Sequence, residues 1–250
     1  MPQLEWMYRT RDVAKGEEAG VRGIDTLTST PRRAKMARRG SKEIGSERPI
    51  QPGESVMSIA ETQAPPTRMT TEEMLALPEN GMDRELIRGE LRETPVTKRN
   101  FDHSSVLSEI AFLLKAWCKP LPKPRGRVVS GEAGIRLRHD PDTSVGVDVA
   151  YVSPEGVAGI PKGFPFGDGP PVLVVEILSP SDTNRAISEK IKLYQECDVP
   201  IIWIVNPDVL TVTVYRRNAL PALYNMNDVL SCEPEMPGFR LPVAEIFDFE

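Results

Sequence analysis

The chain is poor in the residues on which several common chemistries depend. Its three cysteines, Cys118, Cys197 and Cys232, are far apart and odd in number. They offer no disulfide framework and no CxxC ligand pair, which suits a reducing cytosol and predicts a cytoplasmic protein. With only two histidines, His103 and His139, a multi-histidine zinc site is out of reach. No apolar run approaches the roughly 20 residues of a membrane helix. The opening Met-Pro-Gln-Leu-Glu-Trp lacks the basic-then-apolar pattern of a secretory signal. A basic excess is missing too. The formal net charge of -5 argues against broad coating of nucleic acid, while leaving room for a local basic groove around an acidic metal site.

What is present divides the chain in two. Residues 1–68 hold few apolar residues with any period, and the stretch 31–48 is dense in Arg and Lys. Low hydrophobicity with mixed charge predicts a disordered N-terminal extension, a solvated tail whose Arg32, Arg33, Arg38 and Arg39 are at most phosphate contacts. A natural start at Met57 is a further expectation. Residues 69–250 read as one packed domain.

That domain opens with a capped helix at Thr70-Thr71-Glu72-Glu73. An alternating strand or hairpin follows over 84–93, then a long helix over 103–119 with Val106, Ile110, Leu113, Leu114 and Trp117 at three- and four-residue spacing. Strands are expected at 127–129, 134–138, 146–152, 172–178 and 201–205, and an alternating one through Leu210, Val212 and Val214. A helix over 183–197, with Asp182 as its cap, separates the strands at 172–178 and 201–205. This order predicts an α/β fold, a mixed central sheet flanked by helices.

Two of the strands carry a carboxylate inside an apolar run. Val-Leu-Val-Val-Glu-Ile-Leu (172–178) is bounded by prolines and reads as buried on both faces, yet holds Glu176. Val147-Asp148-Val149 repeats the pattern. A buried ionised group is costly unless paired or bound to a cation. If the strands are neighbours the two acids converge, and carboxylates about 4 Å apart repel by roughly 4 kcal/mol at an effective dielectric near 20. Either one stays protonated or a divalent cation sits between them, and oxygen-only ligands favour Mg2+ or Mn2+.

The helix after Glu176 adds a cation. At about 100° per residue, Leu193, Ala186, Cys197, Tyr194, Ile187 and Ile191 form one apolar arc, and Lys190 lies within it. Lys192 falls on the opposite, polar face with Arg185, Ser188 and Glu196. Lys190 should therefore point at the sheet, where an ammonium needs negative company. Asp, Glu and an inward Lys around a metal suit phosphodiester hydrolysis. By spacing alone, a purely structural ion pair of Lys190 with Glu176 or Asp148 fits equally well.

The stretches Val-Val-Glu-Ile-Leu-Ser-Pro-Ser-Asp (174–182), Glu-Lys-Ile-Lys-Leu-Tyr (189–194) and Val-Pro-Ile-Ile-Trp-Ile-Val-Asn-Pro (199–207) closely resemble the Uma-type restriction endonuclease family of the PD-(D/E)XK nuclease superfamily. Thr-Thr-Glu-Glu-Met-Leu-Ala-Leu-Pro (70–78), Glu-Leu-Ile-Arg-Gly-Glu-Leu (85–91) and Pro-Gly-Phe-Arg-Leu-Pro-Val (237–243) extend the match over about residues 69–247. The resemblance implies a restriction-endonuclease-like core and magnesium-dependent cleavage of DNA. It makes Asp148 and Glu176 the metal ligands and Lys190 their catalytic partner. Two positions depart from the superfamily pattern: Val147 stands where proline is usual, and Leu178 where the lysine is usual. The family pattern moves that lysine to the following helix, in agreement with the helical arc.

Accessory candidates are Glu85 and Glu90 in the early hairpin, His103 at a helix start, within reach of phosphate or water, and Tyr194, core but with its hydroxyl toward the site. Ser179 and Ser181 suit the strand-to-helix turn better than nucleophilic chemistry. Arg136 and Arg138 share a strand face and are candidate DNA-backbone contacts, or simply an exposed charged face. A double-strand cutter needs two sites, so a homodimer is expected. The competing expectation is a nuclease-fold protein that binds nucleic acid or a protein partner without cutting.

Overall fold

The computed structural model describes residues 68–96, 98 and 100–249. The extension expected over residues 1–68, with its arginines, lies outside the described residues except for Arg68.

A reciprocal capping box starts α1 (Thr71–Leu75): Thr70 Oγ1 accepts from the Glu73 N–H, and the Glu73 carboxylate accepts from the Thr70 N–H at 2.8 Å. The hairpin β1 (Met82–Ile87) and β2 (Glu90–Pro95) turns at Arg88 and Gly89, both in the left-handed region with φ of 55° and 82°. This is the twist a two-residue hairpin requires. The long helix α2 (Phe101–Cys118) buries His103, Val106, Ile110 and Leu114. Next come β3 (Arg127–Arg138), β4 (Thr143–Val152), the short α3 (Pro154–Gly159) and β5 (Gly167–Asp168). A strand–helix–strand unit follows in β6 (Leu173–Ile177), α4 (Asn184–Glu196) and β7 (Ile201–Asn206). The chain finishes with β8 (Thr211–Arg216), β9 (Ala222–Tyr224), β10 (Val229–Ser231), β11 (Arg240–Pro242) and α5 (Val243–Ile246).

Nine strands form one mixed sheet in the order β2-β1-β4-β6-β7-β8-β9, with β3 on β4 and β5 on β3. Strands β6 and β7 are parallel and joined through α4, whereas β4 pairs antiparallel with β1, β3 and β6. Every residue of β6 is buried. Leu173, Val175 and Ile177 enter an apolar layer with α2 and α5, while Val174 enters the opposite layer with Ile191 and Tyr194 of α4. Alternation therefore turns Glu176 toward α4. Among the described residues no helix is long and apolar enough to cross a membrane.

Three local expectations change. The segments 127–129 and 134–138 are one strand, β3, interrupted by a bulge in which Gly131 and Glu132, both at positive φ, stand opposite Asp148. A bulge keeps the strand continuous while relieving the alternation that separated the two segments in the sequence. Thr183, rather than Asp182, caps α4, accepting from the Ala186 N–H at 3.2 Å. Asp182 instead closes the preceding turn, accepting from the N–H and hydroxyl of Ser179 at 2.7 and 3.0 Å. Leu210 is a turn residue at φ 53°, so the strand begins one residue later.

Candidate active site

The site forms where β4 changes neighbours. Strand β3 runs along one edge of β4, and the other edge is divided: Ser144 pairs with Leu86 of β1, and Val149, Ala150 and Tyr151 pair with β6. Asp148 lies just beyond the last β4–β6 pair, Val149 with Val175, and the same register carried one step further sets it opposite Glu176. The strand also switches faces here. Val145 and Val147 pack in the α4 layer, and Val149 and Tyr151 in the α2 layer. The facing bulge in β3 accommodates that switch.

Asp148 is 4% exposed, and its carboxylate replaces the missing ladder partner: Oδ2 accepts from the Ile177 N–H at 2.8 Å. His103 of α2, 1% exposed, brings Nε2 to 3.3 Å from the same oxygen. Burial would raise the Asp148 carboxyl, but the hydrogen bonds from His103 and Ile177, helped by the charge of Lys190, hold it below the ordinary aspartate value. Oδ1 makes no hydrogen bond among the described residues.

Glu176 behaves oppositely. It is held by two residues one helical turn apart on α4: Lys190 Nζ donates to Oε2 at 2.6 Å, and the Tyr194 hydroxyl donates to Oε1 at 2.5 Å. Burial nevertheless lifts its carboxyl above the ordinary glutamate value, with the charge of Lys190 opposing and that of Asp148 adding to the rise. Two neighbouring acids with affinities pushed apart are a common mark of functional carboxylates. The Lys190 side chain is 46% exposed, and its ammonium reaches in to the buried Glu176 carboxylate. Burial alone would lower its affinity for the proton, yet the Glu176 carboxylate wins and pushes it up to about 12.

Asp148, Glu176 and Lys190 line one small cleft of about 50 Å³, together with Ile177, Leu178, Asp182 and Ile187. It opens at the carboxyl end of β6, the place where open α/β sheets bind ligands. The donor set suits a hard divalent cation. No group of three or more His, Cys, Asp or Glu side chains is arranged to hold a metal among the described residues. The chain thus offers two carboxylates, with water or substrate oxygens left to complete a shell, an arrangement magnesium commonly accepts.

Of the accessory candidates, Tyr194 and His103 touch the acids directly. Glu85 lies instead in an adjoining groove, where burial raises its carboxyl and Lys190 opposes the rise. His103 meets Asp148 and not solvent. Its place could have been found by extending the stripe Val106, Ile110, Leu114 one turn backward. Arg136 is not an exposed DNA contact. It is 4% exposed, forks onto Asp168 at 2.9 and 3.0 Å, reaches Glu72 at 2.7 Å and lies 4.3 Å over the Phe164 ring. Those partners come from distant segments, and they turn the guanidinium into a structural clamp.

The fold and site together define a class of protein. The Uma2 family, described as "Putative restriction endonuclease", matches residues 71–244, and the chain belongs to that family. A crystal structure from Anabaena variabilis ATCC 29413, titled a putative nuclease belonging to DUF820, superposes with a TM-score of 0.57 at 21% identity. The match covers 70% of this chain and 96% of that one, and the two share the fold. No curated protein matches the chain.

Proposed function

We propose that the chain hydrolyses DNA phosphodiester bonds with a divalent cation, Mg2+ or Mn2+, held by Asp148 and Glu176. The observation that carries this reading is the convergence of these two acids and Lys190, from β4, β6 and α4, on one small cleft. Membership of the restriction-endonuclease family supports it. A bound cation would supply Lewis-acid polarisation of the phosphate and acidify a water. The side chains do the rest. Lys190 has three N–H donors and uses one on Glu176, so two remain for the attacking water or a phosphate oxygen. His103 and Ile177 hold Asp148 ionised and aimed into the cleft. Tyr194 fixes the rotamer of Glu176. A second copy of the chain would provide the second site needed to cut both strands.

Incubation of the purified protein with plasmid DNA and Mg2+ or Mn2+ tests the proposal. Nicking or linearisation is expected, lost in Asp148→Asn and Glu176→Gln. Intact DNA with the wild type, or undiminished cleavage by both variants, would overturn it. A second reading, a nuclease-fold protein that binds without cutting, draws on one observation: both Glu176 oxygens are already satisfied from within the chain.

A further inference from the structure

The cleft around Asp148, Glu176 and Lys190 is too small for a nucleotide. Its volume of about 50 Å³ has room for a few waters, each of which needs roughly 10–15 Å³ of such space. It admits phosphate oxygens and a water, and little more. Sugars and bases of any strand cut there must lie in adjoining space.

That space is a groove of about 430 Å³ between the β1–β2 hairpin and α4, and Ala186 and Lys190 wall both it and the cleft. Its charge departs from that of the chain. Arg88, Arg92, Lys190 and Lys192 face Glu85 and Glu189 across it, an excess of cations on a chain whose formal net charge is -5. Of the cations besides Lys190, none is buried in a structural clamp as Arg136 is. The side chains of Arg88 and Lys192 are 55% and 75% exposed. Both reach Glu196, which lies outside the groove walls and would yield them to a phosphate. Arg92 is exposed, faces Glu85 across the hairpin, and makes no ion pair among the described residues.

Resting on the nuclease reading above, we propose that this groove carries the sugar–phosphate backbone of the DNA past Lys190, with Arg88, Arg92 and Lys192 as its phosphate contacts. Arginine forks and lysine ammonium groups at an open groove wall are suited to backbone contact without base selection.

The test is binding without chemistry: fluorescence anisotropy of a short labelled DNA duplex with the full chain in EDTA, across a salt series. The double variant Arg92→Ala/Lys192→Ala is expected to weaken binding by about tenfold or more and to flatten the log affinity–log salt slope by about 2. Glu189→Gln, which removes a carboxylate from the same wall, should tighten binding, a gain that misfolding cannot mimic. Lys119→Ala/Lys162→Ala, at exposed cations outside the groove, should leave the slope unchanged. The proposal is overturned if the wild type does not bind, if the groove variant keeps wild-type affinity and slope, or if the outside pair costs as much. Binding through the groove by a protein that never cuts would sink the nuclease reading alone. Cleavage with binding indifferent to Arg92 and Lys192 would sink the groove alone.

Discussion

His103 and Asp148 meet at 3.3 Å, Nε2 to Oδ2, at a place where neither is reached by solvent. The contact ties the first turn of α2 to the break in β4 and sets the protonation of the first acid. The opposite nitrogen, Nδ1, has no partner among the described residues, which leaves the ring nothing else to do in polar terms.

Removing that ring should cost stability in a pH-dependent way. His103→Ala leaves a buried carboxylate short of a donor, a loss of about 1–3 kcal/mol at neutral pH. Asp148 is depressed in the folded state, so its contribution is present above the ordinary aspartate value of 3.8 and fades as pH falls through the lower folded value. Thermal unfolding of the two proteins should therefore differ at pH 7 and converge in acid. A gap that is constant with pH would contradict the link between His103 and the Asp148 charge.

Lys190 should separate cation binding from cleavage. Lys190→Met removes the ammonium but leaves both carboxylates, so Mn2+ still binds while DNA cleavage falls by about 10²-fold or more. The variant also leaves the buried Glu176 carboxylate short of a donor, so a stability loss of about 1–3 kcal/mol should accompany it. Cleavage at wild-type rate would remove Lys190 from the chemistry.

Glu176 predicts the acid side of cation binding. Burial holds its carboxyl above the glutamate value of 4.5, so protons compete with a cation at higher pH than at an ordinary glutamate. Mn2+ affinity measured from pH 7 downward should decline through a midpoint above 4.5. A decline only below that value would mean the acid is not perturbed as described.

Arg136 should matter for folding and not for DNA. Arg136→Ala breaks the largely buried fork with Asp168 and the contact with the exposed Glu72, and is expected to destabilise by about 3 kcal/mol. Chemical denaturation reads the loss directly. At a temperature where the variant stays folded, its DNA affinity should match the wild type, and a large fall in affinity would restore Arg136 as a contact.

Much of this was legible in the sequence because it follows from period. The apolar run of β6 announced burial on both faces, and the single carboxylate in it is the one that lines the cleft with Asp148 and Lys190. Helical spacing separated Lys190, which reaches Glu176, from Lys192, which stays 75% exposed. What period does not encode stayed hidden. The bulge opposite Asp148 depends on how β3 and β4 register against each other, not on either alone. The Arg136 clamp draws Glu72 and Asp168 from 64 and 32 residues away. The groove beside the cleft exists only once the hairpin and α4 are placed side by side. Asp182 and Thr183 are both good caps, and only the turn at Ser179 decides between them.

Calorimetric titration with Mn2+ reaches the core of the account, which is that Asp148 and Glu176 act as one cation site. The wild type should bind one ion per chain, with binding lost in Asp148→Asn and in Glu176→Gln and kept in Lys190→Met. No binding to the wild type, or a stoichiometric site that survives loss of either carboxylate, would contradict it.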